Sequence, residues 1–241
     1  MSHTEIRRRF IEFFVNRGHL EIPSSSLVPE YDPTLLLTNS GMAPLKPYFL
    51  GQANPPARRL VNVQRCVRTR DIESVGDIHH LTFFEMLGNW SIGDPQSPNG
   101  IGSSGYFKKE AIQFAWDLLE EFEIDRKRIW VGVFGGDPRW PAISPDEESA
   151  KAWADLGLPR ERILRLPTAD SFWFSGPVGP CGPNTDILYD LGAEFACERL
   201  DCGPTCDCGR FLEIWNAGVF MMYNREGENE FKTLPAKSVD A

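Results

Sequence analysis

The sequence lacks any long hydrophobic run. Hydrophobic residues make up 41% of its 241 positions, yet no apolar stretch approaches the roughly 20 residues that a helix needs to cross a bilayer. The residues that follow Met1 lead directly into an amphipathic pattern. These features argue against a membrane partner and predict a soluble, cytoplasmic protein whose hydrophobic content is enough for a sizeable core.

An excess of positive charge is also missing. The formal net charge is -9 at pH 7, so the chain has no overall basic field of the kind that drives non-specific nucleic-acid binding. Any RNA contact would have to come from a local patch. One candidate patch places five arginines within thirteen residues, although a solvated loop face would show the same pattern: Arg58, Arg59, Arg65, Arg68 and Arg70.

The cysteines do not form the framework of a secreted, disulfide-bonded protein. Cys66 and Cys181 stand alone, and the other four lie together at residues 197–208 with the spacing C-x4-C-x3-C-x-C: Cys197, Cys202, Cys206 and Cys208. Four thiolates this close can complete a tetrahedral zinc site, which would be structural because no coordination position stays open. The spacing departs from paired C-x-x-C, so reduced free thiols on a loop are the alternative.

A phosphate-binding loop of the form G-x-x-x-x-G-K-[ST] is absent from the sequence. If a nucleotide binds, other groups must hold it. Arg68 ends one predicted strand and could grip a phosphate with its fork of N–H donors, and Phe84 on the next strand could stack on a purine. From spacing alone, a surface ion pair and a core aromatic explain the same two residues.

Hydrophobic periodicity predicts three helices and five strands. The helices begin at Thr4 as N-cap, near Tyr106, and at Ser144, where a capping box precedes an apolar pattern; Gly18 and Gly157 end the first and the third. The strands are predicted at residues 35–38, 60–67, 80–87, 129–134 and 163–166.

This order of elements favours one domain over residues 1–241. Strands in hairpins mixed with helices predict an α+β fold with an antiparallel sheet, and not a succession of βαβ units. Residues 94–105, rich in Pro, Gly and Ser, are predicted to form a surface loop.

Several segments resemble the N-terminal catalytic region of alanyl-tRNA synthetases, and they follow that family's order along nearly the whole chain. They are IRRRFIEFFVNRGH, SSSLVP, DPTLLLTNSGM, QRCVR, HHLTFFEMLGNWS, YFKKEAIQFAW, GPCGP, FLEIWN and SVD. The resemblance implies the class II synthetase architecture, an antiparallel sheet flanked by helices. It also implies ATP-dependent activation of alanine to alanyl-adenylate, with Mg²⁺ bridging phosphate oxygens, and transfer of alanine to alanine tRNA.

The resemblance assigns roles to individual residues. Arg68 matches the catalytic arginine that grips the α-phosphate, and Phe84 matches the aromatic ring on which adenine stacks. Glu85, Met86 and His80 are expected to edge the ATP site, with His79 weighed beside His80. The expected alanine-binding residues are Trp173, Asn216 and Asp240, and the candidate Mg²⁺ ligands are Asp186 and Glu213.

Two departures from the family pattern bear on function. Residues 94–105 separate GD from YFKKEA, which indicates an insertion. The chain ends at Ala241, before the family's third motif and its main tRNA-recognition region, so we expect this stretch alone to be inactive or weakly active. The alternative is a naturally short paralogue that binds an amino acid or nucleotide, or another protein, without aminoacylation. The sequence leaves the oligomeric state open.

Overall fold

A single mixed sheet organises the fold in the computed structural model, which describes residues 1–29, 35–69, 72–77, 80–200, 202–206 and 208–241. Within these residues the strands are β1 (Leu20–Glu21), β2 (Arg59–Val67), β3 (Phe83–Ser91), β4 (Ile129–Phe134), β5 (Ile163–Leu166), β6 (Phe172–Phe174), β7 (Gly179–Asp190), β8 (Phe211–Arg225) and β9 (Phe231–Asp240). The α-helices are α1 (His3–Val15), α2 (Lys46–Phe49), α3 (Lys108–Glu121), α4 (Glu147–Asp155) and α5 (Thr168–Ser171).

The sheet is mostly antiparallel, which confirms the predicted α+β class. Its strand order is β1-β2-β3-β9-β8-β7-β4-β5, and β6 pairs with β7. The parallel pairs are β1 with β2 and β4 with β5. Because α4 connects β4 to β5, this end of the sheet is one βαβ unit, which the prediction of a purely antiparallel sheet missed.

Two faces of the sheet have different neighbours. On the helix face, Phe14 of α1 and Trp153 of α4 are buried against the sheet, and Trp215 of β8 packs on the same clusters. The opposite face, here called the cleft face, carries Trp90 packed with α2 and with Val219 and Met221 of β8. Among the described residues, no helix combines the length and hydropathy needed to cross a membrane.

The helix boundaries differ from the predicted caps by a few residues. Ser2, not Thr4, caps α1, because the Ser2 hydroxyl accepts a hydrogen bond from the Glu5 N–H at 3.2 Å. Asp146, not Ser144, caps α4 by accepting from the Ser149 N–H at 3.1 Å. Asp146 also binds the buried Lys108 ammonium at 2.6 Å, a tertiary contact that local sequence does not reveal.

The predicted strands at 129–134 and 163–166 are confirmed, and the hairpin of β2 and β3 forms as expected. However, β3 spans Phe83–Ser91 instead of residues 80–87, because residues 88–91 are buried between β2 and β9. The strand predicted at residues 35–38 is wrong. That segment has no regular structure; Leu36 is 84% exposed, and the Thr38 hydroxyl instead donates to the Ser26 carbonyl at 2.8 Å.

Residues 94–105 have no regular structure, as predicted, yet part of this loop packs tightly on β9. The Gly100 carbonyl accepts a hydrogen bond from the Lys237 N–H at 2.9 Å, and the Gly93 N–H donates to the Ser238 hydroxyl at 2.9 Å. The loop therefore supports β9 three residues before Asp240. That the loop is an insertion stays a prediction.

Replacing Gly100 by Ala should destabilise the protein more than replacing Gly51 by Ala. Both glycines have left-handed φ values, +73° and +67°, so each alanine costs about 1 kcal/mol of backbone strain. A Cβ on Gly100 would also lie 2.7 Å from the Pro235 carbonyl oxygen, whereas a Cβ on Gly51 would meet nothing within 4 Å. The clash should add roughly 1–3 kcal/mol to the loss in free energy of unfolding, measured by urea denaturation. Equal losses of unfolding free energy in the two variants would show that the loop does not stabilise β9.

Candidate active site

A cleft of about 720 Å³ opens where β3 and β8 diverge. The two halves of the sheet meet where Trp90 and Ser91 of β3 pair with Asp240 and Val239 of β9. Beyond this junction, over residues 83–88, the described part of the chain places no strand between β3 and β8. The cleft gathers most of the residues that the sequence nominated: Arg68, Phe84, Glu85, Met86, Trp173, Glu213, Asn216 and Asp240.

One end of the cleft combines an exposed guanidinium with an aromatic ring. Arg68 follows the last residue of β2, and its Nε donates to the Asn39 carbonyl at 3.0 Å. Its guanidinium carbon lies 5.2 Å from the centroid of the Phe84 ring. This arrangement offers an anion a cationic fork and offers a flat heterocycle an aromatic face.

The alternation of side chains along β3 separates Glu85 from its neighbours. Phe84 and Met86 point to the cleft face, where the Met86 sulfur lies 3.3 Å from the Gly41 nitrogen. Glu85 points to the helix face, and Arg7 of α1 binds its carboxylate at 2.5 Å. Glu85 therefore borders the cleft as one partner of an ion pair.

His80 lies apart from the cleft lining. Its Nδ1 is 2.6 Å from the Asp77 carboxylate, and its backbone N–H donates to the same side chain at 2.7 Å. The structure thus places His80 with Asp77 and not with Arg68 and Phe84. His79 lies outside the described residues.

The other end of the cleft contains a carboxylate among apolar side chains. The Trp90 indole N–H donates to Asp240 Oδ1 at 2.7 Å. Burial raises the pKa of Asp240 to about 6, against the opposing effect of this hydrogen bond, so the group is ionised at neutral pH. Trp173 of β6 and Asn216 of β8 line the same region. A half-buried anion with an aromatic wall suits a small cationic group.

Two further carboxylates lie on β7 and β8. Asp186 is buried, and both of its oxygens accept hydrogen bonds from the Asn184 amide at 2.8 and 3.0 Å. Burial, and secondly the charge of Glu213, raise the pKa of Asp186 to about 8. Glu213 lines the cleft and is exposed, whereas Asp186 lies outside its lining.

The four clustered cysteines come together away from the cleft. All four Sγ atoms of Cys197, Cys202, Cys206 and Cys208 lie within 4.8 Å of one another. The Cys197–Cys206 and Cys202–Cys208 sulfur distances are 3.7 and 3.6 Å. Zinc–sulfur bonds of about 2.3 Å in a tetrahedron give sulfur–sulfur edges of about 3.8 Å, so the cluster has the size of a zinc site.

Comparison with known proteins identifies the family of the chain. Residues 5–241 match the family described as tRNA synthetases class II (A). The chain belongs to this family. An alanine–tRNA ligase of Dehalococcoides mccartyi strain BAV1 is 46% identical over 241 residues, covering 99% of this chain and 25% of that protein. The alanine–tRNA ligase of Acetivibrio thermocellus is 45% identical over 239 residues, with 98% and 25% covered.

This class II synthetase chain therefore spans about a quarter of the length of those two relatives. Among solved structures, the apo histidyl-tRNA synthetase of S. aureus covers 98% of the chain at 12% identity, with 60% of that protein matched and a TM-score of 0.47. At that distance the likeness adds nothing to the fold described above.

Sequence reasoning missed two residues that contact side chains of the candidate site. Trp90 belongs to the segment HHLTFFEMLGNWS. No sequence pattern predicts that its indole N–H donates to Asp240, which lies 150 residues further along the chain. Arg7, the partner of Glu85, lies in a predicted helix whose other arginines have different partners. Both contacts join segments that are distant in sequence, so local periodicity contains no signal for them.

The pKa of Asp186 predicts an unusual pH dependence of stability. Between its ordinary value of 3.8 and about 8, the folded state keeps a proton that the unfolded chain has lost, so stability falls as the pH rises through this interval. Asp186→Asn removes this loss because an amide does not titrate. In buffer with a chelator, the Tm of the variant should match that of the parent near pH 4 and exceed it at pH 8.

Asp190→Asn is a control for which the change in Tm at pH 8 should have the opposite sign. Arg210 binds both oxygens of Asp190 at 2.8 Å and lowers its pKa, so this carboxylate stabilises the fold above its unfolded pKa and loses that effect as the pH falls. The Asp190 variant should therefore have a lower Tm at pH 8, with the difference shrinking in acid. An Asp186→Asn variant that is less stable than the parent at pH 8 would contradict the raised pKa.

Proposed function

We propose that this chain forms the amino-acid-activating part of an alanine–tRNA ligase. The observation that carries the proposal is the single cleft shared by Arg68, Phe84 and Asp240, which offers a phosphate ligand, a stacking surface for a base and a half-buried anion. The name of the relatives supports alanine as the amino acid. In the reaction, the alanine carboxylate attacks the α-phosphate of ATP, giving alanyl-adenylate and pyrophosphate, and alanine then passes to the 3′ end of alanine tRNA.

The nucleotide end of the cleft positions ATP and stabilises charge. Adenine stacks on the Phe84 ring beside Met86, and the Arg68 guanidinium contacts the α-phosphate. Because Arg68 is anchored at the Asn39 carbonyl, its fork is held near the place where negative charge grows on the phosphate oxygens. Catalysis of this kind needs no covalent intermediate on the protein.

The opposite end binds the amino acid. Asp240, ionised at neutral pH, pairs with the alanine ammonium, and Asn216 offers an amide to the substrate's polar groups. The Trp173 ring limits the space left for a side chain. Fixing both ends of alanine in this way aims its carboxylate at ATP.

Of the two carboxylates nominated for Mg²⁺, Glu213 fits better. It is exposed in the cleft, whereas Asp186 is buried and both of its oxygens accept from Asn184. A Mg²⁺ ion that arrives with ATP supplies positive charge to the phosphates and keeps several of its own waters. Glu213 would be the protein ligand nearest to it, and Asp186 a structural carboxylate.

His80 and Glu85 have weaker claims to ATP. Each already has a charged partner, Asp77 for His80 and Arg7 for Glu85. Contact with the adenine edge would require these pairs to rearrange. A role for either residue stays a prediction.

Pyrophosphate exchange tests the proposed activity in the full-length gene product that contains residues 1–241. Alanine should stimulate exchange, and Arg68→Ala should lower kcat/KM at least about tenfold because a transition-state contact to phosphate is lost. Arg65→Ala is the matched control: Arg65 lies on β2 three residues before Arg68, is exposed, and its Nε contacts the Ser24 hydroxyl outside the cleft. Its rate should stay unchanged.

Two results would contradict the assignment. An Arg68→Ala rate equal to that of the parent removes Arg68 from the catalytic machinery. The absence of alanine-dependent exchange in a folded protein favours the alternative, a short paralogue that binds without aminoacylation.

We also propose that the four clustered cysteines hold one structural Zn²⁺. Two of their sulfur–sulfur distances match the edge of a zinc tetrahedron, all four sulfurs lie within 4.8 Å of one another, and four thiolates would leave no open position for catalysis. Backbone N–H groups, first that of Arg210, lower the pKa of Cys208 and favour the thiolate that a metal binds.

Protein purified without chelator should contain about one zinc per chain, with sulfur ligands at roughly 2.3 Å by X-ray absorption. Cys202→Ser should abolish stoichiometric binding because one ligand is lost. Cys66→Ala, at a buried cysteine outside the cluster, should leave the zinc content unchanged. Zinc-free protein, or zinc retained in the Cys202 variant, would show that these residues are free thiols.

A further inference from the structure

Trp90 connects the amino-acid end of the cleft to the junction of the two half-sheets. Its side chain is fully buried and packs with Met42, Leu60 and Val219 on the cleft face. Its backbone pairs with Asp240 across β3 and β9, and its indole N–H reaches the Asp240 carboxylate at 2.7 Å. Trp90 therefore lies opposite this aspartate in the strand register and also contacts its carboxylate through the indole.

Two glycines create the space in which the indole lies. A Cβ on Gly88 would come within 2.3 Å of Cζ2 of Trp90, and a Cβ on Gly41 within 2.9 Å of the same atom. Any larger residue at either position would push the ring aside. The orientation of the N–H therefore depends on a close fit between three residues from two separate segments.

The electrostatics of Asp240 make this donor important. Among the described residues, the indole N–H is the group that lowers the pKa of Asp240, against burial, which raises it. Burial, and to a smaller extent the charge of Asp240, raise the pKa of the Tyr106 phenol, so this phenol stays neutral. Arg68, Glu85 and Glu213 are charged groups of the same cleft. Removing such a donor from a desolvated carboxylate makes its ionised form less stable.

We propose that Trp90 is a positioning residue for amino-acid binding: its indole N–H fixes the orientation of the Asp240 carboxylate, which then receives the ammonium group of the substrate. This inference rests on the proposed function, in which Asp240 binds that ammonium. The nucleotide end of the cleft is built by Arg68 and Phe84, so removing the N–H affects alanine and not ATP.

The test replaces Trp90 by 3-benzothienylalanine, which keeps the bicyclic shape and substitutes sulfur for N–H. In the full-length gene product that contains residues 1–241, kcat/KM for alanine in pyrophosphate exchange falls about tenfold or more, since a hydrogen bond to a charged group is lost. The KM for ATP stays within about twofold. The same replacement at Trp153, whose N–H donates to the Thr185 hydroxyl at 2.9 Å in the helix-face core, changes neither value.

An Asp240→Ala background separates action through Asp240 from an effect of packing. If the inference is right, replacing Trp90 lowers kcat/KM for alanine in the parent and has no further effect once Asp240 is gone. Equal losses in both backgrounds, or a matching rise in the KM for ATP, would overturn it. If Asp240→Ala alone leaves alanine activation unchanged, the assignment of Asp240 is wrong and the inference falls with it. If Asp240→Ala is damaging and the Trp90 replacement is not, the inference alone fails.

Discussion

The short pairing between β3 and β9 is the contact on which the rest of the site depends. It joins a half-sheet of β1, β2 and β3 to a half-sheet that begins with β9. Trp90 and Ser91 pair with Asp240 and Val239, and backbone hydrogen bonds between Asn89 and Ala241 extend the contact by one residue. Beyond this point the strands diverge, and the cleft lies between them. The aspartate proposed to bind the substrate ammonium is therefore also part of the contact that holds the halves together.

The carboxylates in and beside the cleft differ in protonation and in pairing because their surroundings differ. Burial raises the pKa of Asp240 to about 6, against the opposing effect of the Trp90 hydrogen bond, so the group is ionised at neutral pH. Asp186, buried beside the charge of Glu213, holds its proton to about pH 8. Glu85, on the other face of the same sheet, is paired with Arg7. One small region thus contains an anion, a neutral acid and an ion pair, which follow from desolvation, like charge and opposite charge.

Much of the fold could be predicted from local sequence because local forces dominate it. The strands at 129–134 and 163–166 are short apolar runs bounded by turn residues, and they were predicted to the residue. The periodic aromatic residues of α1 predicted its buried face, which contains Phe10, Phe13 and Phe14. The predictions failed where tertiary contacts override local preference. Among the residues that the structure describes, the apolar run at 35–38 pairs with no strand, and Asp146, not the predicted Ser144, caps a helix while binding Lys108.

The residue types at the site, and the family resemblance that assigned them roles, came from the sequence itself. The sequence also determined the cysteine spacing that allows a zinc site. Only the tertiary structure decided which residues meet: it placed Asp240 against Trp90, separated His80 from the cleft, and turned Glu85 toward Arg7. The reason is geometric. A pattern of residues constrains neighbours within a helical turn or along one strand. The cleft, in contrast, is formed by segments as distant in sequence as Ile6 and Ala241. Their meeting depends on strand order and on which face each side chain occupies.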